Sequence, residues 1–341
     1  MTRWRTDATT ERYGLFCYLR EVNSARTDSV TCQPFGRRPE LAEAEYRVIF
    51  SESRAEFSQC LPQVSVQTEI VVSPEDDVEL RRIRLTNHSY HPLTLELTTY
   101  AEVVLAPLIT DELHPAFSNL FMQTEIVAGL QTLLCHRRAR TAHERNPWLF
   151  HQLNVQGAES EAISYETDRM KFIGRGRSAA NPQALEQPLT NSHGAVLDPI
   201  VAIRRRITLA PQSTATADLL LGVAPERESC LLLAHKYRDP HLADRVEHLA
   251  WTHSQVFLHQ LNINDQDAAL FNQLAERILY PDARLRAEPA ILQANRRGRR
   301  RSLAIIQSCW CRYKAPMARV WCASCCKRMP ISGTKVLSSI W

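Results

Sequence analysis

The chain has 341 residues, 44% of them apolar, and a formal net charge of +4. That apolar share excludes a disordered chain, the length leaves room for one large or two ordinary domains, and so mild a charge singles out no polyanionic partner. The start, MTRWRTDATTERYG, has no apolar core of signal-peptide length, and apolar residues nowhere run long enough to span a bilayer, so a soluble, cytoplasmic chain without membrane contact is expected.

In chain order, β-type runs begin at 46–51 and 64–72. The stretch 72–107, VSPEDDVELRRIRLTNHSYHPLTLELTTYAEVVLAP, then carries two such runs, 78–86 and 93–104, around the cluster NHSYHP. Asn87, Ser89 and Pro92 each favour a break, which predicts a long hairpin. Leu93, Leu95, Leu97 and Thr99 alternate with Thr94, Glu96 and Thr98, the period of a strand with one buried and one wet face. In the first run the phase slips at Arg81 and Arg82, which predicts a bulge or a sheet edge there. Further runs at 120–126, 130–137, 148–155, 200–209 and 215–223 follow without helical periods. So many strands predict a mainly β fold, a large antiparallel sandwich. The stretch 180–198, ANPQALEQPLTNSHGAVLD, reads as a long loop of the kind that carries function on a rigid sheet.

At Pro225 the period changes. Leu242, Val246, Leu249, Val256, Phe257 and Leu261 fall on one helix face, and Asn264 or Asp265 reads as the N-cap of a further helix carrying Leu270, Leu274 and Ile278. Cys17, Cys32, Cys60, Cys135 and Cys230 lie singly and read as reduced, mostly buried small hydrophobes. Trp148, in an apolar strand, and Trp251, at helix spacing, are expected in the core.

Several phrases, in order, resemble glycoside hydrolase family 94, in particular the family-94 portion of cyclic β-1,2-glucan synthases. They are SPEDDVELRRIRLTNHS with LELTTYAEVVLAP, HPAFSNLFMQTE from His114, PWLFHQL from Pro147, YETDRMKFIGRGR from Tyr165, GAVLDPIVAIRRRI from Gly194 and LAWTHSQVFLHQLN from Leu249. The resemblance runs from about Thr2 to about Gly298 and implies a galactose mutarotase-like β-supersandwich over 1–223, its N-terminal edge missing, then a helical linker over 224–290. It also implies that the chemistry lies elsewhere. Inverting phosphorolysis needs one carboxylic acid to protonate the leaving oxygen while phosphate attacks the other face, and in the family that acid is an Asp of the (α/α) barrel after the linker. No catalytic residue is carried over, and no cofactor is expected.

The tail, 291–341, departs from the pattern. Five arginines crowd into 296–301, and Cys309, Cys311, Cys322, Cys325 and Cys326 fall close together. Reading the last base of each codon with the first two of the next, Trp321 with Cys322 can give only Val, Cys325 with Cys326 only Leu, Cys326 with Lys327 Gln or a stop, and Met329 with Pro330 only Ala. With free codon choice elsewhere, 320–341 can be read as LVRQLLQAHAYFRDKGLIVDL, which resembles the barrel domain. A shifted frame is therefore expected. Resequencing from the codon of Leu285 past that of Trp341 should reopen it; independent reads that confirm the present frame, with stops in the other, would sink this reading.

Candidate contacts for carbohydrate or a domain interface are His114, Glu166, Asp168, Arg175 and Arg177, the last four in a turn dense in groups that bond hydroxyls or phosphate. The expected function is a carbohydrate-binding and scaffold domain, inactive alone. Its partners would be β-glucan or a glucose-containing oligosaccharide, the catalytic barrel and, at a dimer contact, a second copy, with no nucleic acid; the full-length parent would sit at the inner membrane. Two rivals stand beside it. One is a freestanding module whose tail binds nucleic acid or, through Cys309, Cys311, Cys322 and Cys325, a zinc ion. The other is a mutarotase-like epimerase using His114 with Glu125.

Overall fold

The computed structural model describes residues 1–3, 13–22, 27–29, 46–141 and 143–279. Among these, strands form two antiparallel sheets. The six-stranded sheet holds β1 (Phe16–Glu21), β2 (Thr27–Ser29), β7 (Leu93–Glu102), β11 (Glu159–Ser160), β12 (Ser164–Asp168) and β13 (Pro199–Leu209), in the order β11-β13-β7-β1-β2 with β12 also on β13. The eight-stranded sheet runs β3 (Tyr46–Phe50), β4 (Arg54–Cys60), β5 (Val64–Val72), β6 (Val78–Asn87), β14 (Thr214–Ala224), β10 (Trp148–Gln156), β9 (Thr132–Arg137) and β8 (Met122–Val127). One core lies between the sheets, where Ile83, Leu85, Leu97, Leu133, Leu153, Ile203 and Leu219 are fully buried. The mainly β sandwich is therefore the one the alternation predicts.

The hairpin is not. β6 pairs with β5 and β14, whereas β7 pairs with β1 and β13, so residues 88–92 cross from one sheet to the other. β13 and β14 repeat the pattern, and Asn87 is one of the side chains that fasten the two arches together. Buried Asn87 donates from Nδ2 to the carbonyls of His91 at 2.9 Å and Ala210 at 3.0 Å, and its Oδ1 accepts from the Ser89 amide at 2.9 Å. Its own amide reaches Ser213 O at 2.9 Å. Asn87→Ala removes the bonds from this buried amide to both arches and is expected to lower stability by about 1–2 kcal/mol; an unchanged urea midpoint would contradict this.

Nor is there a bulge at Arg81 and Arg82, because the register with β5 and β14 is continuous through both. The strand is buried on opposite faces at its two ends. Ile83 and Leu85 face the sandwich core, while Val78 and Leu80 face the other way, under α4 (Arg227–Lys236) and α5 (Pro240–Gln260). Arg82 shares that second face and is buried by ion pairing: it forks onto Asp218 of β14 at 2.8 and 3.1 Å and also reaches Asp244 of α5. A charge accommodated in this way looks like a phase slip in sequence.

The chain divides into two units, Met1–Ser254 and Gln255–Trp341. In the first, Ala243 and Val246 of α5 pack with Tyr237 and Cys230 on the eight-stranded sheet. In the second, α6 (Asp265–Leu279) starts from Asn264, whose Oδ1 accepts from the Asp267 amide at 2.9 Å. Cys17, Cys135 and Cys230 are buried, but Cys60, at the end of β4, is exposed. Trp251 is 60% exposed, against expectation, because Val246 and Ala250 rather than position 251 turn toward the sheet. Trp148 is half-buried and stacks on His136 with ring centroids 4.1 Å apart. No helix of the described residues is long and apolar enough to cross a membrane. Cys32 and the tail, with Cys309, Cys311, Cys322 and Cys325, lie outside the described residues.

Candidate functional site

The predicted contact residues are placed in three different settings. Glu166, on β12, is 1% exposed and accepts from the amides of Thr167 at 3.0 Å, Asp168 at 3.1 Å and Thr190 at 3.2 Å, from the Thr190 hydroxyl at 2.7 Å and from Ser192 Oγ. Burial opposes its charge, but these donors outweigh burial and hold its carboxyl below the usual range. Glu166 thus pins the segment 190–192 to the sheet. Asp168 caps α3 (Arg169–Ile173), its Oδ1 accepting from the Met170 amide at 2.9 Å. Arg175 is exposed, and Arg177 pairs with Glu186 at 2.7 Å on the surface. His114 is exposed and links α1 (Leu108–Leu113) to α2 (Pro115–Asn119). Glu125 is committed to Arg227 by a two-pronged ion pair, which holds its carboxyl low.

Two arrangements that local spacing does not reveal gather more chemistry. The first is a buried ion network at the end of β7. Arg3 contacts Glu102, Asp111 at 3.2 Å and Asp198 at 3.7 Å, while Arg169 donates to Glu102 at 2.8 Å and Tyr100 OH does so at 2.7 Å. Burial works against the charge of Arg3, but the three carboxylates around it raise its pKa overall. Burial, with the nearby Glu102, pushes the Asp198 carboxyl up against the pull of both arginines. Asn119 Nδ2 donates to Asp198 at 3.0 Å. Apart from Arg3 and Asp111, each member lies in one of the phrases that carry the family resemblance, so those phrases meet here in space. Each of its carboxylates already holds a donor, so the network ties together β7, α1, α3 and the segment before β13.

What the network clamps is the α1–α2 excursion, and that excursion has inverted polarity. Asp111, Ser118 and Asn119 face inward and are at most 4% exposed, whereas Leu108, Ile109, Leu113, Phe117 and Leu120 are 39–63% exposed. Arg137 adds a bond to Ser118 O at 2.8 Å, and Arg138 one to Leu120 O at 3.0 Å. A short helix meeting only water shows the opposite pattern. Five large apolar side chains are thus held outward over a polar underside.

The second arrangement is a cleft of about 340 Å³ on the outer face of the six-stranded sheet. α3 and the segment after it cover that face with Phe172, Ala184, Leu185 and Leu189, packed on Tyr18, Tyr100 and Ala202. Beyond the cover the sheet shows a row set by register, Arg20 of β1 opposite Glu96 of β7 opposite Arg206 of β13. Arg206 donates to Glu96 at 2.7 Å, and Arg20 lies 3.6 Å from the same carboxylate. Arg204, two residues along β13, completes the floor. Sequence alone offers one trace of this, the run IRRRI, in which strand period puts the first and third arginines on one face.

Comparison with known proteins supplies the family. The cyclic β-(1,2)-glucan synthase NdvB of Rhizobium meliloti (strain 1021) is 31% identical over 290 residues, 84% of this chain and 10% of that protein. The N,N'-diacetylchitobiose phosphorylase of Vibrio proteolyticus is 23% identical over 224 residues, and that of Vibrio furnissii 25% over 226, each match covering 65% of this chain and 27% of the relative. The chain thus spans a tenth to about a quarter of the length of these relatives. Among solved structures, a bacterial glucoamylase complexed with acarbose has a TM-score of 0.44 at 6% identity, over 78% of this chain and 34% of that one, a likeness too slight to build on. The glycosyl hydrolase 94 supersandwich domain matches residues 1–240, and with the two sheets and the phrases that meet at their end, the chain belongs to glycosyl hydrolase family 94 through that domain.

Proposed function

We propose that this chain is the scaffold of a larger glucan-acting protein of family 94, on which the catalytic portion is seated. The observation that carries the reading is the inverted polarity of α1–α2: apolar side chains held at the surface by a buried ion network are what a docking surface requires and what a solvated excursion avoids. The partner is the catalytic barrel, and glucose-containing chains such as β-1,2-glucan are handled beside it. Alone, the chain has no phosphorolytic activity. His114, at the elbow between α1 and α2, contacts that partner.

The proposal predicts a sticky chain. A hydrophobic dye should brighten on the purified protein, and a Leu113→Glu/Phe117→Asp variant should bind several-fold less dye while keeping the same far-ultraviolet circular dichroism. A wild-type chain that sediments as a clean monomer and leaves the dye dark would contradict the scaffold. Release of glucose 1-phosphate from β-1,2-glucan and phosphate by the chain alone would contradict its inactivity.

A further inference from the structure

The cleft on the six-stranded sheet is independent of the α1–α2 surface, and the charge balance of its lining limits what it can hold. Three guanidiniums, Arg20, Arg204 and Arg206, meet three carboxylates, Glu96, Glu161 and Glu186. Buried Glu96 lies between Arg206 at 2.7 Å and Arg20 at 3.6 Å, Glu161 is 3.5 Å from Arg206, and Glu186 is held at 2.7 Å by Arg177 from outside the lining. An anion in the cleft would meet the glutamates, and a cation the arginines. What the lining has left over is hydrogen-bonding capacity. Arg204 is 8% exposed, makes no ion pair among the described residues, and donates from Nε to Thr98 Oγ1 at 2.9 Å, from Nη1 to Gln187 O at 2.9 Å and from Nη2 to Ala184 O. Two of its five N–H groups stay unused. The Ser164 hydroxyl has no partner among the described residues, and the Gln187 side chain accepts from Gln183 Nε2 at 2.6 Å but donates to none of them. On the acceptor side, the Glu161 carboxylate has only the 3.5 Å contact with Arg206, and its side chain is 61% exposed.

We propose that this cleft binds a neutral ring bearing several hydroxyls, a mono- or disaccharide. A sugar hydroxyl both donates and accepts, so neighbouring hydroxyls take the unused N–H groups of Arg204 and Gln187 while donating to Glu161, and Ser164 serves in either role. Donors and acceptors mixed without net charge select for that double property. The volume, about 340 Å³, is at the small end of small-molecule sites and holds about one or two rings. No aromatic side chain is among the described lining residues, so binding is by hydrogen bonds without stacking, and a Kd on the order of 1 mM is expected. The choice of glucose as the sugar rests on the glucan-acting reading above; the preference for a neutral polyhydroxylated ring does not.

The test is saturation-transfer NMR of the full chain, titrated with methyl β-glucoside and with the β-1,2-linked glucose disaccharide at low and at high salt. Saturation transfer to the sugar is expected with the same Kd at both salts, since a neutral ligand has no charge to screen. Glu161→Ala and Ser164→Ala, each checked for its fold by far-ultraviolet circular dichroism, should weaken binding about three- to tenfold by removing one partner. An anion-binding cleft would instead bind more tightly in Glu161→Ala, and that result would overturn the proposal, as would a Kd that rises with salt or displacement of the sugar by inorganic phosphate. Unchanged binding in both variants would put the sugar elsewhere, and no transfer to either sugar from a folded chain would overturn the proposal outright. The Leu113→Glu/Phe117→Asp variant should bind both sugars as the wild type does, so that failure here and failure of the α1–α2 reading are separate results.

Discussion

An Arg82→Met variant is expected to lose about 3–5 kcal/mol of unfolding free energy in urea, because it leaves Asp218 as a buried charge without a cation. Asp218 is 3% exposed, faces Arg82 in register across β6 and β14, and takes both prongs of its guanidinium. Asp244, the other partner, has a side chain 60% exposed; water replaces most of what it loses, so its share is small. A second variant separates the pair from its desolvation cost. Arg82→Met with Asp218→Leu replaces a buried ion pair by apolar groups and should recover most of the loss. If the double variant is as unstable as the single one, the role of Arg82 lies in holding α5 rather than in neutralising Asp218.

The second large effect is acid sensitivity above the carboxylate range. His151, on β10, is fully buried between the sheets, with Nδ1 3.0 Å from Leu220 O and Nε2 2.8 Å from Thr99 Oγ1 on β7. A carbonyl only accepts, so Nδ1 carries the proton and Nε2 accepts from the threonine. This neutral ring spans both sheets, and burial pushes its pKa down to about 3. The unfolded chain takes up a proton near pH 6.5 and the folded one does not. The stability tied to His151 is therefore fully present above pH 6.5 and is lost as the pH falls from there toward 3, at up to about 1.4 kcal/mol per pH unit. Between pH 6.5 and 4.5 that amounts to roughly 2–3 kcal/mol. His136 and the amino group of Met1 are also pushed down by burial and add to the slope. The measurement is thus the difference between wild type and His151→Leu, whose slope should be shallower by that amount whatever its absolute stability. Parallel slopes would show that the ring is already charged in the fold.

Strands were legible where one face alone is buried, or where apolar residues run unbroken, as in β5, β10 and β14. β4 and β12 were not, because RAEFSQC and SYETD are too polar to betray a period, and β12 is a strand only because β13 lies beside it. The turn chemistry of NHSYHP correctly marked a reversal, but Asn, Ser and Pro bend a chain equally well into its own sheet or across to another. Only long-range pairing decides which. The same limit governed the candidate site. Glu166 and Asp168 stood out as polar groups in a Gly-containing turn, yet both serve their own backbone. The row Arg20, Glu96, Arg206 draws its members from three strands far apart in the chain, so no window of sequence contains it. The family phrases did reach the ion network, though as words without the geometry that joins them.

The crossing of β6 to β7 and of β13 to β14 has a kinetic corollary. A hairpin can zip from its turn using neighbours in sequence, but an arch contributes one strand to each sheet and closes neither. β7 must find β13 and β6 must find β14, partners more than a hundred residues away, before either sheet has a centre. Such closures are slow because chain entropy is lost before contacts reward it. The two sheets should therefore become protected against amide exchange together, late and at one rate, and a chain cut between the arches should leave two halves that neither fold alone nor resist aggregation while apart.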